Sequence, residues 1–200
     1  LIWNGNRDQK IIYLTFDDGP VPGVTDRILE VLHHFNVKAT FFCVGQNIDK
    51  NPELFRRIHQ AGHMIGNHTY HHLDGWSRNQ DDYLLDIRRC TEVIGENGYT
   101  SKINLFRPPY GKIRKKIIHE IINEYHIVMW DVLSYDFSTR LTKEKMLQKS
   151  IHHTEEGSIV IFHDSEKTKN RAQFLIYQYI DHFISNSYKF STIDELILSN

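Results

Sequence analysis

Short apolar runs alternate along this chain with longer stretches in which apolar residues return every three or four positions. The first pattern predicts buried strands and the second predicts amphipathic helices. Ile11 to Phe16 reads as the first strand, and a helix capped by Thr25 follows with Ile28, Leu29, Leu32 and Phe35 on one face. Ala39 to Val44 reads as the second strand. Asn51-Pro52 opens a helix through Leu54, Phe55 and Ile58, and Gly62 ends it, since Pro fits the first helical turn and Gly the exit. A short strand then runs toward His68, and a third helix from about Asn79 carries Tyr83, Leu84, Ile87 and Ile94. The next strand ends at Phe106, and Ile113, Ile117, Ile121 and Tyr125 stripe a fourth helix that feeds a strand from Ile127 to Val132. Thr142 caps a fifth helix with Met146 and Ile151, Ser158 to Phe162 reads as a strand, and a sixth helix uses Phe174, Ile176, Tyr179 and Ile180. A last strand is expected around Tyr188 to Ile193.

About seven strands interleaved with six helices predict a parallel sheet with helices packed outside it. An open doubly wound sheet would carry a glycine-rich phosphate loop after its first strand, and none is present. The α/β class expected is therefore a (β/α) barrel, and 200 residues are short for eight complete units, so it should be distorted and incomplete. No low-complexity stretch or composition break marks a linker, which predicts one domain over residues 1–200.

Composition narrows the partners. A net charge of −1 leaves no large basic face for a phosphate backbone, so nucleic acid is not expected as a partner. No apolar stretch approaches the ~20 residues that cross a bilayer, so no transmembrane segment is expected. Cys43 and Cys90 lack C-x-x-C spacing and read as buried free thiols. Histidine is abundant, with 13 residues, and the helical pairs His33-His34 and His152-His153 read as solvated or satisfied side chains rather than ligands.

The reactive side chains fall at predicted strand ends. Asp17, Asp18, His68, Arg107, Asp136 and His163 all lie at or just beyond the carboxyl ends of strands, which a parallel barrel gathers on one face. Asp17 and Asp18 would point to opposite sides of an extended chain, so one could bind an ion while the other holds a water beside it. His68 and His72, four residues apart, could aim two imidazoles at one ion if the segment makes a helical turn, with His71 competing for the second place. Two imidazoles and a carboxylate form an open site for a divalent metal, zinc above all. In Arg107-Pro108-Pro109-Tyr110-Gly111, the prolines stiffen the segment, and an ion pair between Arg107 and Asp17 would keep that carboxylate basic. His163 ends the apolar run Ile159 to Phe162 on the same face.

These motifs resemble the carbohydrate esterase family 4 polysaccharide deacetylases, the group sharing the NodB homology domain. Thr15 to Pro20 matches T-F-D-D-G-P, His68 to His72 matches H-[ST]-x-x-H, Arg107 to Tyr110 matches R-x-P-Y, and Ile161-Phe162-His163 matches the weaker L-x-H motif with Ile for Leu. The likeness runs in the family's order from about Ile11 to Ile193, making residues 1–200 a single catalytic domain of that type. It implies that Asp18, His68 and His72 bind the metal, that Asp17 is the general base and that His163 is the general acid. It also implies a backbone N–H of Tyr110 at the oxyanion, and an apolar pocket for the acetyl methyl shaped by Ile161 and Phe137. One departure stands out: the family's Asp-Trp is here Asp136-Phe137, with Asp136 free to contact Arg107 or to tune His163.

The implied reaction is removal of acetyl groups from an acetylated glycan, N-acetyl from the amino sugars of a chitin-oligomer or peptidoglycan type of polymer. Its rivals are an O-acetyl esterase on a xylan-like glycan, a small-amide hydrolase, and a noncatalytic glycan-binding barrel. Location at the cell envelope or outside is implied by the resemblance alone.

Overall fold

Strand β1 (Ile11–Asp17) lies in the middle of the sheet, and its alternation sorts its side chains between two environments. In the computed structural model, which describes residues 1–199, Ile12, Leu14 and Phe16 pack into the cluster that the outer helices cover. Tyr13, Thr15 and Asp17 therefore take the opposite face, because successive strand residues point to opposite sides. β7 (Ile159–His163) repeats the pattern beside it, with Val160 and Phe162 outward. The register pairs Tyr13 with Ile159, Thr15 with Ile161 and Asp17 with His163. Two neighbouring strands thus deliver a carboxylate and an imidazole to the same inner face.

The remaining strands are β2 (Thr40–Cys43), β3 (Met64–Asn67), β4 (Leu105–Phe106), β5 (His126–Ile127), β6 (Val132–Leu133) and β8 (Lys189–Ser191). All pair in parallel, in the order β5-β4-β3-β2-β1-β7-β6, and β8 joins the first half of β1. The two outermost strands of that order, β5 and β6, are consecutive in sequence. Laid flat, the six steps between them would span roughly 29 Å. The chain from Ile127 to Val132 reaches at most about 18 Å, so the sheet has to curl. The result is the distorted, incomplete barrel expected.

Helices α1 (Thr25–His34), α3 (Pro52–Gln60), α4 (Gln80–Glu96), α5 (Lys115–Ile121), α6 (Lys143–His153) and α7 (Ala172–Ser185) lie where the apolar periodicity puts them. Pro52 occupies the first turn of α3, Asn79 accepts from Asp82 N–H at the start of α4, and Thr142 accepts from Lys145 N–H at the start of α6. Thr25 does not cap α1. It is the first helical residue, and its hydroxyl instead accepts from Val21 N–H and donates to Asp164. Two further helices, α2 (Gly45–Lys50) and α8 (Ile193–Leu198), were not expected, since α2 has one buried apolar side chain, Ile48, and α8 begins where a strand was anticipated.

The single strand foreseen over Ile127 to Val132 is instead β5 and β6, separated by the turn that links the sheet's edges. Inside the curl, Tyr13, Phe42, Met64, Leu105, Val128 and Ile159 pack with Ile193 and Leu196 of α8, which fills the end of the barrel opposite the strand carboxyl ends. Cys43 and Cys90 are buried and free. Among the described residues, no helix is long and apolar enough to cross a membrane.

Candidate active site

The carboxyl ends of β1, β3, β4, β6 and β7 surround a cavity of about 420 Å³. Its lining includes Asp17, Asp18, His68, His72, Tyr110, Phe137, Ile161 and His163. Apart from His71, every residue singled out for metal, base, acid or pocket is there. Arg107 and Asp136 lie just beneath it, fully buried.

Asp17 and Asp18 do not point to opposite sides as an extended chain would make them: both line the cavity, with carboxylate oxygens 3.9 and 3.8 Å from His68 Nε2. Asp17 is the last residue of β1 and faces inward, whereas Asp18 has φ 87°, a left-handed conformation that turns the chain out of the strand. Asp164 holds this turn from below. Its Oδ1 accepts from Gly19 N–H at 2.8 Å, its Oδ2 accepts from Thr25 Oγ1 at 2.7 Å, and its own N–H donates to the Asp17 carbonyl. Gly19 is required there, because a Cβ would lie 1.8 Å from the Asp164 carboxylate. Burial raises the Asp164 pKa to about 8, with the nearby Asp18 charge adding to it and the two hydrogen bonds opposing.

Residues 68–72 form no helical turn. Thr69 and His72 have positive φ, and the loop is shaped by hydrogen bonds to Asp86 on α4. Oδ2 of Asp86 accepts from Tyr70 and His71 N–H, and its Oδ1 accepts from His71 Nδ1 at 2.6 Å. His71 is thereby drawn away from the cavity. The second imidazole is that of His72, whose Nε2 lies 3.1 Å from Asp18 Oδ1.

Asp18, His68 and His72 form a group whose ligand atoms all lie within 4.8 Å of one another. The donor chemistry fits a divalent cation. His68 Nδ1 is 2.8 Å from the Arg107 carbonyl, which can only accept, so Nδ1 carries the proton and Nε2 keeps a free lone pair. That backbone contact is the kind of support that orients metal-bound histidines. Burial, outweighing the neighbouring carboxylates, lowers the His68 pKa to about 4, so the ring is neutral at physiological pH. Burial works against the Asp18 charge, but the hydrogen bond from His72 and the charges of His163, His68 and His72 prevail and push its pKa far down. An ionised carboxylate and a neutral imidazole are forms that bind a metal.

Arg107 extends beneath Asp17. Its Nη1 donates to Asp17 Oδ1 and to Thr15 Oγ1, both at 2.7 Å, while Nε and Nη2 donate to the carbonyls of Val128 and Met129. The guanidinium also lies 4.1 Å from the centroid of the Phe42 ring. With one oxygen tied down, Asp17 presents Oδ2 toward His68 Nε2 at 3.9 Å. Asp136 resolves to one of its two expected contacts: it accepts from His163 Nδ1 and from His163 N–H, each at 2.7 Å, and its charge lies beside His163 rather than Arg107. Burial alone would discharge His163, but the charge and hydrogen bond of Asp136, helped by Asp18 and Asp17, raise its pKa to about 9.

Phe137 stands edge-on to His163 with ring centroids 5.1 Å apart. Trp130 and Leu133 complete the apolar wall. Neither was anticipated: Trp130 falls in the stretch read as one continuous strand, and Leu133 lies just beyond its end. Trp130 places an indole in the cavity although the Asp-Trp pair of the motif is absent. Asp86, Asp164 and Thr15 were also missed, since each acts through a contact remote in sequence.

A family model for polysaccharide deacetylase matches residues 4–130. The peptidoglycan-N-acetylglucosamine deacetylase PgdA of Listeria monocytogenes is 34% identical over 191 residues, covering 95% of this chain but 39% of its own length. The chain thus spans about two-fifths of that relative. A solved peptidoglycan N-acetylglucosamine deacetylase, crystallised with a naphthyl N-oxidanyl-benzamide, superposes with a TM-score of 0.91 at 29% identity, covering 98% of this chain and 91% of its own. A family 4 carbohydrate esterase pseudoenzyme from Bacillus anthracis superposes with a TM-score of 0.86 at 26% identity, over 98% of this chain and 68% of its own. A fold that also carries a pseudoenzyme does not by itself establish activity, which depends on the residues of the site.

Proposed function

The chain belongs to the polysaccharide deacetylase family, and from that premise we propose that it is a metal-dependent hydrolase removing N-acetyl groups from the amino sugars of a polymer of the peptidoglycan or chitin-oligomer type, with residues 1–200 forming one catalytic domain. The observation that carries the reading is that one cavity holds both a carboxylate suited to act as base, Asp17 tied to Arg107, and an imidazole suited to act as acid, His163 tied to Asp136. A glycan binder has no physical need for both.

Asp18, His68 and His72 would hold a divalent ion, and two imidazoles with one carboxylate suit zinc. When bound, such an ion supplies Lewis acidity toward the acetyl carbonyl and toward water. Asp17 takes a proton from the attacking water, whose oxygen bonds to the acyl carbon. Arg107 fixes the carboxylate so that its second oxygen faces the cavity. The backbone N–H of Tyr110 donates to the oxyanion that forms. His163 donates its proton from Nε2 to the nitrogen as the C–N bond breaks, giving a free amine and acetate. Nδ1 is already committed to Asp136, which keeps the ring charged and correctly turned. Ile161, Phe137, Trp130 and Leu133 enclose the methyl.

Acetate release measured in parallel on N-acetylated chitooligosaccharides, peptidoglycan fragments and acetylated xylan tests the reading. Release from the amides, strongly reduced in H163A, is the expected outcome. An ester leaves without needing a proton donor as much as an amide does, so preference for acetylated xylan with little loss in H163A would favour the O-acetyl esterase instead.

A further inference from the structure

Trp76 lies in the loop between the His68–His72 segment and α4, and the residue is 59% exposed. Its backbone is fastened while its indole is left out. Trp76 N–H donates to Asp74 Oδ1 at 2.9 Å, and its carbonyl accepts from the Arg114 guanidinium. The turn presses so closely on the 110–114 segment that a Cβ on Gly75 would lie 2.4 Å from the Lys112 carbonyl. Lys112 is tied to Asp74 at 2.6 Å, and its ammonium lies 5.5 Å from the centre of the Trp76 ring and 5.6 Å from that of Tyr110. Tyr110, itself 62% exposed, meets the His72 ring edge-on at 4.7 Å and lines the cavity. An indole, a cation and a phenol thus continue outward from the catalytic cavity without a break.

The geometry points to an outer sugar-binding subsite at Trp76, so that the substrate is a glycan chain extending beyond the sugar that loses its acetyl group. This deepens the deacetylase reading and rests on it. The C–H face of a pyranose is apolar and flat, and stacks on an exposed indole, while the surrounding hydroxyls hydrogen-bond to charged groups such as Lys112 and Asp74. Two rings are far too little apolar area for a protein partner, which needs about 1,000 Å² or more. The distance from Tyr110 to Trp76 cannot exceed the sum of their separations from Lys112, a span that neighbouring units of one glycan can bridge.

The test is calorimetric binding of the N-acetylglucosamine hexamer and dimer to wild type, W76A and W76F, with acetate release measured alongside. W76A should weaken hexamer binding about tenfold, the scale of a Trp anchor, and leave dimer binding within about twofold. W76F should retain most of the affinity. In turnover the hexamer should lose through KM with kcat unchanged. Equal hexamer binding by all three proteins overturns the subsite, as does an equal loss for dimer and hexamer. Trp76-dependent binding by a metal-loaded protein that releases no acetate supports the subsite and overturns the deacetylase reading. Acetate release with no Trp76 effect overturns the subsite alone.

Discussion

Arg107 is fully buried, and its Nη1 lies 2.7 Å from Asp17 Oδ1. This contact ties the segment after β4 to the end of β1 and turns the other carboxylate oxygen to the cavity. Removing the guanidinium would leave a buried carboxylate without its counter-charge, at a cost of about 3–5 kcal/mol. R107M is therefore expected to melt well below wild type. D17N keeps shape and can still accept from Arg107, so it should fold with little change in Tm while kcat falls about 10²–10⁴-fold. Paired melting and kinetic measurements check this, and a folded D17N with wild-type kcat would refute the base.

The Asp136–His163 pair is expected to set the alkaline limit of activity. Burial disfavours the imidazolium, but Asp136, followed by Asp18 and Asp17, raises its pKa from 6.5 to about 9. A raised pKa keeps the ring protonated below that value, so amide hydrolysis should persist through neutrality and decline as pH rises through about 9. D136N removes the leading carboxylate and should move that limb toward 6.5. The pH profiles of kcat for the two proteins decide it: an alkaline limb unmoved by D136N contradicts the assignment.

Asp86 shapes the 68–72 loop without reaching the cavity. Support of this kind typically changes metal affinity by about 10–100-fold. D86A should weaken zinc binding within that range, read by competition with a chromogenic chelator. Wild-type affinity in a folded D86A would show that the loop holds its shape unaided.

Away from the site, His63 is buried, with Nδ1 accepting from Ala39 N–H, and burial followed by the Lys38 charge lowers its pKa to about 4. Between about 4 and 6.5 the unfolded chain binds a proton that the folded chain does not, so stability falls as pH falls through that window. One such group contributes a slope of up to about 1.4 kcal/mol per pH unit. H63N retains an acceptor and should flatten the acid side of a urea-unfolding series against pH by that slope. An unchanged series would mean His63 already titrates normally.

What could be read in advance was what depends on neighbours in sequence. The apolar run Ile11 to Phe16, Pro52 in its first turn and the Thr142 cap depend on local φ/ψ, side-chain spacing and hydrogen bonds, and the structure follows them. That Asp17, Asp18, His68, His72 and His163 gather on one cavity was also legible, through strand ends and motif likeness. The supports were not. Thr15 meets Arg107 across 92 positions, Asp164 meets Gly19 across 145, and Asp86 faces the histidine loop only because α4 packs there. The break between β5 and β6 has the same origin: Ile127 to Val132 is apolar enough for one strand, but curling the sheet requires a turn within it. The helical turn imagined for His68 to His72 gave way because Asp86 binds the loop backbone instead.

The most direct test of the account follows acetate release from an N-acetylated chitooligosaccharide by wild type, before chelation, after chelation and after adding back one equivalent of zinc, with H68A alongside. Release that stops on chelation, returns with the metal and stays absent in H68A is the predicted result. Undiminished release by protein verified to be metal-free would contradict the role of Asp18, His68 and His72, and no release by protein verified to hold the metal would contradict the deacetylase reading itself.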